Sequence, residues 1–392
     1  MTDFDQPFSR TRTQAVKYDA RKAVFGREDV LPLWVADMDL PSPQAVTDAL
    51  VARAQHPAYG YTLFPDSLYQ AQIDWFRHRH GWITERAWLM MAPGVVPSLH
   101  AAALAFAGPG EGIIVQPPVY FPFFSAVTQT GRRLIENPLQ ERDGRWTMDL
   151  EHLERCAADG ARMLFLCSPH NPVGRVWSRE ELDAVLAIAR RHRLLVVSDE
   201  IHCDLVYPDR PAHTVLATLA GPEDQLMTTV AASKTFNIPG LGLSSVVAPD
   251  PAHRAALKRE FDRLHMGQCN PFSIAGYEAG YRHGEAWLDE LLPYLTANRD
   301  FVASFIAERL PEIRLVDPEG TYLLWLDCRA LGLADAELKA FLVNEAGLGL
   351  SPGAQFGTGG AGHMRMNIGA PRAVLAEALA RLETALASQR RG

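Results

Sequence analysis

The sequence has no C-x-x-C pair. Its five cysteines, Cys156, Cys167, Cys203, Cys269 and Cys328, are scattered and odd in number. That pattern argues against a disulfide framework or a zinc knuckle. Reduced thiols in a cytoplasm fit better. A run of about 18 apolar residues is also missing, so no membrane span is expected. There is no basic stretch to follow a phosphate backbone, and the formal net charge is -8. Nucleic acid is therefore not an expected partner. The N-terminal MTDFDQPFSR carries two acids and no apolar h-region, so no secretory signal is expected. Internal repeats and low-complexity linkers are absent too. What remains is globular in composition, 47% apolar and 21% charged over 392 residues. This supplies a large core, divided among two to three domain-sized units or held in one large domain with an appendage.

The middle of the chain alternates short apolar runs with amphipathic stretches. GIIVQPP (112–118), ARMLFLC (161–167), LLVVSDE (194–200), QLMTTVAASK (225–234) and GLSSVVAPD (242–250) read as strands. SREELDAVLAIARRHR (178–193) reads as a helix whose start is marked by the capping box Ser178–Glu181. The spacing predicts an α/β fold with a mainly parallel sheet covered on both faces. The last third differs. Residues 285–310 predict a long helix, bent near Pro293, while TYLLWLDC (321–328) and HMRMNIG (363–369) predict strands of a smaller α+β part. The expected division is a large domain over 45–282 and a small one made of 1–44 and 283–392.

GTGGAG (357–362) matches G-x-G-x-x-G, but it neither follows a clear strand nor opens a helix, as a dinucleotide site requires. It reads as a loop. More informative are three polar residues at or just beyond strand ends: Asn171, Asp199 and Lys234. Singly, they read as a turn former, a helix cap and a solvated lysine. Together they lie where open α/β sheets bind ligands. A lysine amine, a carboxylate and an amide donor suit pyridoxal phosphate. Its aldehyde takes an amine, its pyridine nitrogen an acid and its ring oxygen a donor. PGVVPSLHAA (93–102) adds a glycine turn opening a helix, where the N–H groups of Val95 and Val96 can cradle a phosphate, with Ser233 adding a hydroxyl.

CSPHNPVGRVW, VVSDEIHCD, ASKTFNIPG and MRMNIGAPR, in that order, resemble the fold-type I pyridoxal-phosphate enzymes of the class I/II aminotransferase superfamily. LPLWVADMD, SDEIHCD, SKTFNIPGL and TYLLWLD narrow the resemblance to its cystathionine β-lyase branch, C–S lyases of the MalY/PatB type. The resemblance spans about Leu31 to Arg372. It implies a seven-stranded large domain and a homodimer whose active site is shared between subunits.

The resemblance also assigns roles. Lys234 carries the cofactor and takes the Cα proton. Asp199 pairs with the ring nitrogen, and Asn171 and His202 reach the ring oxygen. Tyr120 stacks on the ring. Tyr61 reaches in from the neighbouring subunit, and Arg365 grips the substrate carboxylate beside Asn171. The family's common serine three residues before the lysine and arginine eight after it are here Ala231 and Gly242. No metal is expected. The implied reaction is β-elimination from cystathionine or another S-substituted L-cysteine, giving a thiol, pyruvate and ammonia. The alternatives are an aminotransferase acting on an L-amino acid and a regulatory or binding protein that keeps the fold.

Overall fold

Seven strands form the central sheet of this computed structural model, which describes residues 2–267 and 269–390. In chain order they are β1 (Leu89–Ala92), β2 (Gly112–Val115), β3 (Arg133–Glu136), β4 (Ala161–Cys167), β5 (Leu195–Asp199), β6 (Leu226–Val230) and β7 (Ser244–Val247). They lie side by side in the order β1-β7-β6-β5-β4-β2-β3. β3, β2, β4, β5 and β6 are mutually parallel, whereas β7 runs antiparallel to β6 and β1.

Both sheet faces are buried, which is why the strands read as unbroken apolar runs. Along β4 the side chains alternate between two cores: Met163, Phe165 and Cys167 join one, Leu164 and Leu166 the other. The helix Arg179–His192 starts with the expected capping box at Ser178 and Glu181.

A second, antiparallel sheet consists of β8 (Arg314–Leu315), β9 (Leu323–Asp327), β10 (Ser351–Pro352) and β11 (His363–Asn367), in the order β8-β9-β11-β10. The helix Glu285–Arg309 packs with it and continues through Pro293. Leu31–Pro32 pairs with Leu348–Gly349, so the N-terminal segment is tied to this part of the chain. The glycine-rich loop 357–362 leads into β11, as its sequence context implies. A Cβ on Gly353 or Gly360 would collide with the backbone of the other, so glycine is required there by close packing.

One sequence expectation needs correction. The strand expected over 225–234 stops at Val230, and Lys234 stands on a single helical turn, Ala232–Thr235. The reason is the ladder. β7 pairs with β6 only as far as Val230, and β5 only as far as Thr229. Beyond that point an extended chain would leave its N–H and C=O groups unpaired, and the turn pairs them locally.

Candidate active site

A cleft of about 250 Å³ opens at the C-terminal ends of β4, β5 and β6. Asn171, Asp199 and Lys234 all line it, as do Tyr120, His202, Ser233, Val95 and Val96. The three strand-end residues are therefore brought together. Arg365 reaches the same place from β11, donating from Nη1 to Asn171 Oδ1 at 3.0 Å.

Lys234 Nζ donates to the Ala36 carbonyl at 2.6 Å. Burial lowers its pKa to about 8, helped by the Arg365 charge and opposed by Asp37 and Asp199. More of the amine is thus free near neutral pH than for an ordinary lysine, which favours a nucleophile or proton acceptor. Asp199 moves the other way. Burial pushes its carboxyl up to about 7, although one oxygen accepts the Ile201 N–H at 3.1 Å. A cationic ring nitrogen is the partner that would restore its charge. Burial holds His202 neutral, and its Nδ1 has no hydrogen-bond partner.

Arg365 is buried and has no carboxylate partner among the described residues. Nη2 donates to the Trp34 carbonyl at 3.0 Å, and Nε has no hydrogen-bond partner among the described residues. Burial lowers its pKa to about 10. A buried guanidinium without a counter-ion is costly, and a ligand carboxylate would neutralise it. At the other end of the cleft, the helix Val95–Phe106 has no side-chain cap, and Gly94 before it is extended. The N–H groups of Val95 and Val96 are unmatched within the helix, and Pro97 has none, which leaves an anion cradle. Gly242, where an arginine could have contributed charge, lines the cleft at φ 56°. Amine, acid, anion cradle and free guanidinium together fit an aldehyde-bearing pyridine phosphate together with an α-amino acid.

These shifts predict how the cofactor-free protein responds to pH. Asp199 titrates near 7 when folded and near its ordinary 3.8 when unfolded. The folded state therefore holds the extra proton between those values, and stability falls as pH rises through them. Lys234 titrates near 8 when folded against 10.5 when unfolded, so its contribution rises with pH across that interval. Relative to Asp199→Asn, apo wild type should lose Tm between about pH 5 and pH 7. Thermal scans of both proteins across that range check it, and a constant difference contradicts it.

Tyr61 does not line the cleft of its own chain and is 95% exposed. Several contributors were not found in the sequence. Tyr322 OH shares the Ala36 carbonyl with Lys234, at 2.8 Å. Asn367 Nδ2 binds the carbonyls of Val35 and Asp37. Asn237 binds Met38 N–H and the carbonyls of Met38 and Leu40. Segment 34–40 is thus laid across the site by side chains that belong to the FNIPG, TYLLWLD and MRMNIG motifs. The motifs were visible, but their shared target was not.

Residues 28–382 match the family described as aminotransferase class I and II. The chain is 42% identical to cystathionine beta-lyase PatB of Bacillus subtilis (strain 168), covering 98% of this chain and 100% of that one. It is 30% identical to protein MalY of Escherichia coli (strain K12) over 100% of both. Among solved structures, cystalysin of Treponema denticola, which contains a pyridoxal 5'-phosphate cofactor, superposes with a TM-score of 0.96. The identity there is 34%, covering 99% of this chain and 100% of that one.

Proposed function

The chain belongs to the aminotransferase class I and II family, and from that membership we propose that it is a pyridoxal-phosphate-dependent carbon–sulfur β-lyase. It cleaves cystathionine or another S-substituted L-cysteine to a thiol, pyruvate and ammonia. The observation that carries this reading is one cleft lined by Lys234, Asp199 and Asn171, with Arg365, which has no carboxylate partner among the described residues, bonded to Asn171. Full-length similarity to a cystathionine β-lyase favours elimination over transamination.

When bound, pyridoxal phosphate supplies an electron sink conjugated to the substrate Cα. The protein groups do the rest. Val95 and Val96 N–H, with Ser233, hold the phosphate. Asp199 would hold the ring-nitrogen proton, Asn171 and His202 would hydrogen-bond the ring oxygen, and Tyr120 would pack against the ring. Tyr120 N–H donates to the Asn171 carbonyl at 3.0 Å, which fixes these two loops to each other. Arg365 grips the α-carboxylate and orients the Cα–H bond toward Lys234. Lys234 would hold the cofactor aldehyde, and its free amine would take the Cα proton and deliver it to the departing sulfur. The Cβ–S bond breaks with its electron pair on sulfur, and water hydrolyses the released unsaturated amine to pyruvate and ammonia.

The working unit is a homodimer in which Tyr61 enters the partner's site. The exposure of Tyr59, Tyr61 and Leu63 on one loop supports this. The large domain is 45–282, and the small domain is 1–44 with 283–392. The setting is cytoplasmic, in keeping with five free cysteines and with no helix, among the described residues, long and apolar enough to cross a membrane.

Holoenzyme incubated with cystathionine or other thioether conjugates of cysteine, with no oxo-acid added, should release pyruvate and thiol in equal amounts over many turnovers; cystine should give pyruvate and a persulfide. No multiple-turnover thiol release, with the C–S bond kept and the substrate's own oxo-acid formed only when an acceptor oxo-acid is added, would instead indicate transamination.

A further inference from the structure

Below the Lys234 turn lies a buried polar junction that the chemistry above does not use. Asp204, 7% exposed, sits on the loop leaving β5, beyond Asp199 and His202. Its Oδ2 accepts the Thr235 hydroxyl at 2.7 Å, and its Oδ1 faces His80 Nε2 at 2.7 Å. Trp75 Nε1 lies 3.2 Å from both oxygens. Trp75 and His80 belong to the helix Asp66–His80. One carboxylate therefore joins three separate pieces of chain: the loop of Asp199 and His202, the turn of Lys234, and a helix packed behind them. Burial alone would raise the Asp204 carboxyl, but hydrogen bonds from His80, Thr235 and Trp75 hold it below the ordinary value.

His80, Cys203 and Asp204 bring three metal-ligand atoms within 4.8 Å of one another. The Asp204 oxygens are already engaged by Trp75, His80 and Thr235, so the cluster is complete as a hydrogen-bonded joint.

The joint has mechanical work to do. A turn of four residues has no helical cooperativity of its own, so tertiary contacts must set its orientation. One contact is apolar. Phe236 packs on Trp75 and fills space left by Gly280, where an added Cβ would lie 2.6 Å from its ring. Another is the bond from Thr235, fully buried and adjacent to Lys234, to Asp204. We propose that Asp204 is a positioning residue which, through Thr235, fixes the Lys234 amine in register with Asp199. This rests on the assignment of Lys234 as the cofactor lysine.

Arg365 comes from the other sheet and takes no part in the joint, so substrate capture should survive its loss while proton transfer does not. Thr235→Val removes the hydroxyl and keeps the shape. The expected result for its holoenzyme is a kcat lower by about 10²-fold, the scale of a misplaced catalytic group, with KM little changed. The visible circular dichroism of the bound cofactor should change as well. Thr235→Ser should restore both readouts, and Asp204→Asn should reproduce the loss if it folds. A role in stability alone would lower Tm and leave kcat and the visible spectrum of folded Thr235→Val at wild-type values, which overturns the proposal. A wild-type protein with no cofactor band overturns the lysine assignment beneath it. The two failures are therefore distinguishable.

Discussion

Replacing Lys234 by alanine should reduce turnover by at least about 10⁴-fold, because one amine both carries the cofactor and moves the Cα proton. The same change should leave the cofactor-free protein as stable as wild type, or slightly more stable. The amine is buried, and burial works against its charge. Its bond to the Ala36 carbonyl is not the only one that oxygen has, since Tyr322 OH remains at 2.8 Å. The side chain also projects into an existing cleft, so its removal opens little new cavity in the packed core. Loss of function without loss of stability is the mark of a group held against its own solvation for chemistry. Steady-state kinetics of the reconstituted protein and apo Tm test both halves. A variant that keeps activity, or one whose apo Tm falls as it does for a core truncation, contradicts this account of Lys234.

Arg365→Lys should lower kcat/KM by about 10²-fold or more, chiefly through KM. Charge is conserved, but the planar fork is lost, and two charge-assisted bonds to the substrate carboxylate are each worth about 1.5–3 kcal/mol. The variant should also lose bonds that arrange the site, to Asn171 Oδ1 and the Trp34 carbonyl. An S-substituted cysteamine, which lacks the carboxylate, separates these effects. If Arg365 acts mainly on the carboxylate, the deficit of the variant relative to wild type should be far smaller on that amine than on the amino acid. An equal loss on both substrates would place Arg365 in the framework instead.

Much of this arrangement could be read from the sequence because it follows local rules. The continuous apolar runs gave the doubly covered sheet, and alternation around MRMNIG put Arg365 and Asn367 opposite the core residues Met364, Met366 and Ile368. The helix start at Ser178 was a capping box in sequence and is one in structure. What could not be read depends on contacts distant in sequence. Lys234 and Ala36 are 198 positions apart, Asn237 and Met38 are 199, and Asn367 and Val35 are 332. No periodicity encodes such pairs. The strand assigned through Lys234 was too long for a related reason. Ala231 and Ser233 are compatible with a strand, but a strand also needs neighbours, and the sequence does not show where β5 and β7 stop. The role proposed for Tyr61 calls for a second chain, so nothing in the single chain could reveal it.

The proposed chemistry turns on one amine, and the place of cofactor attachment decides it. Holoenzyme treated with sodium borohydride, which makes the lysine–cofactor bond permanent, can be digested and mapped by mass spectrometry. The account predicts one reduced adduct per chain, on Lys234 within ASKTFNIPG. An adduct on Lys17, Lys22, Lys258 or Lys339, or no adduct on a protein that turns over substrate, would contradict it.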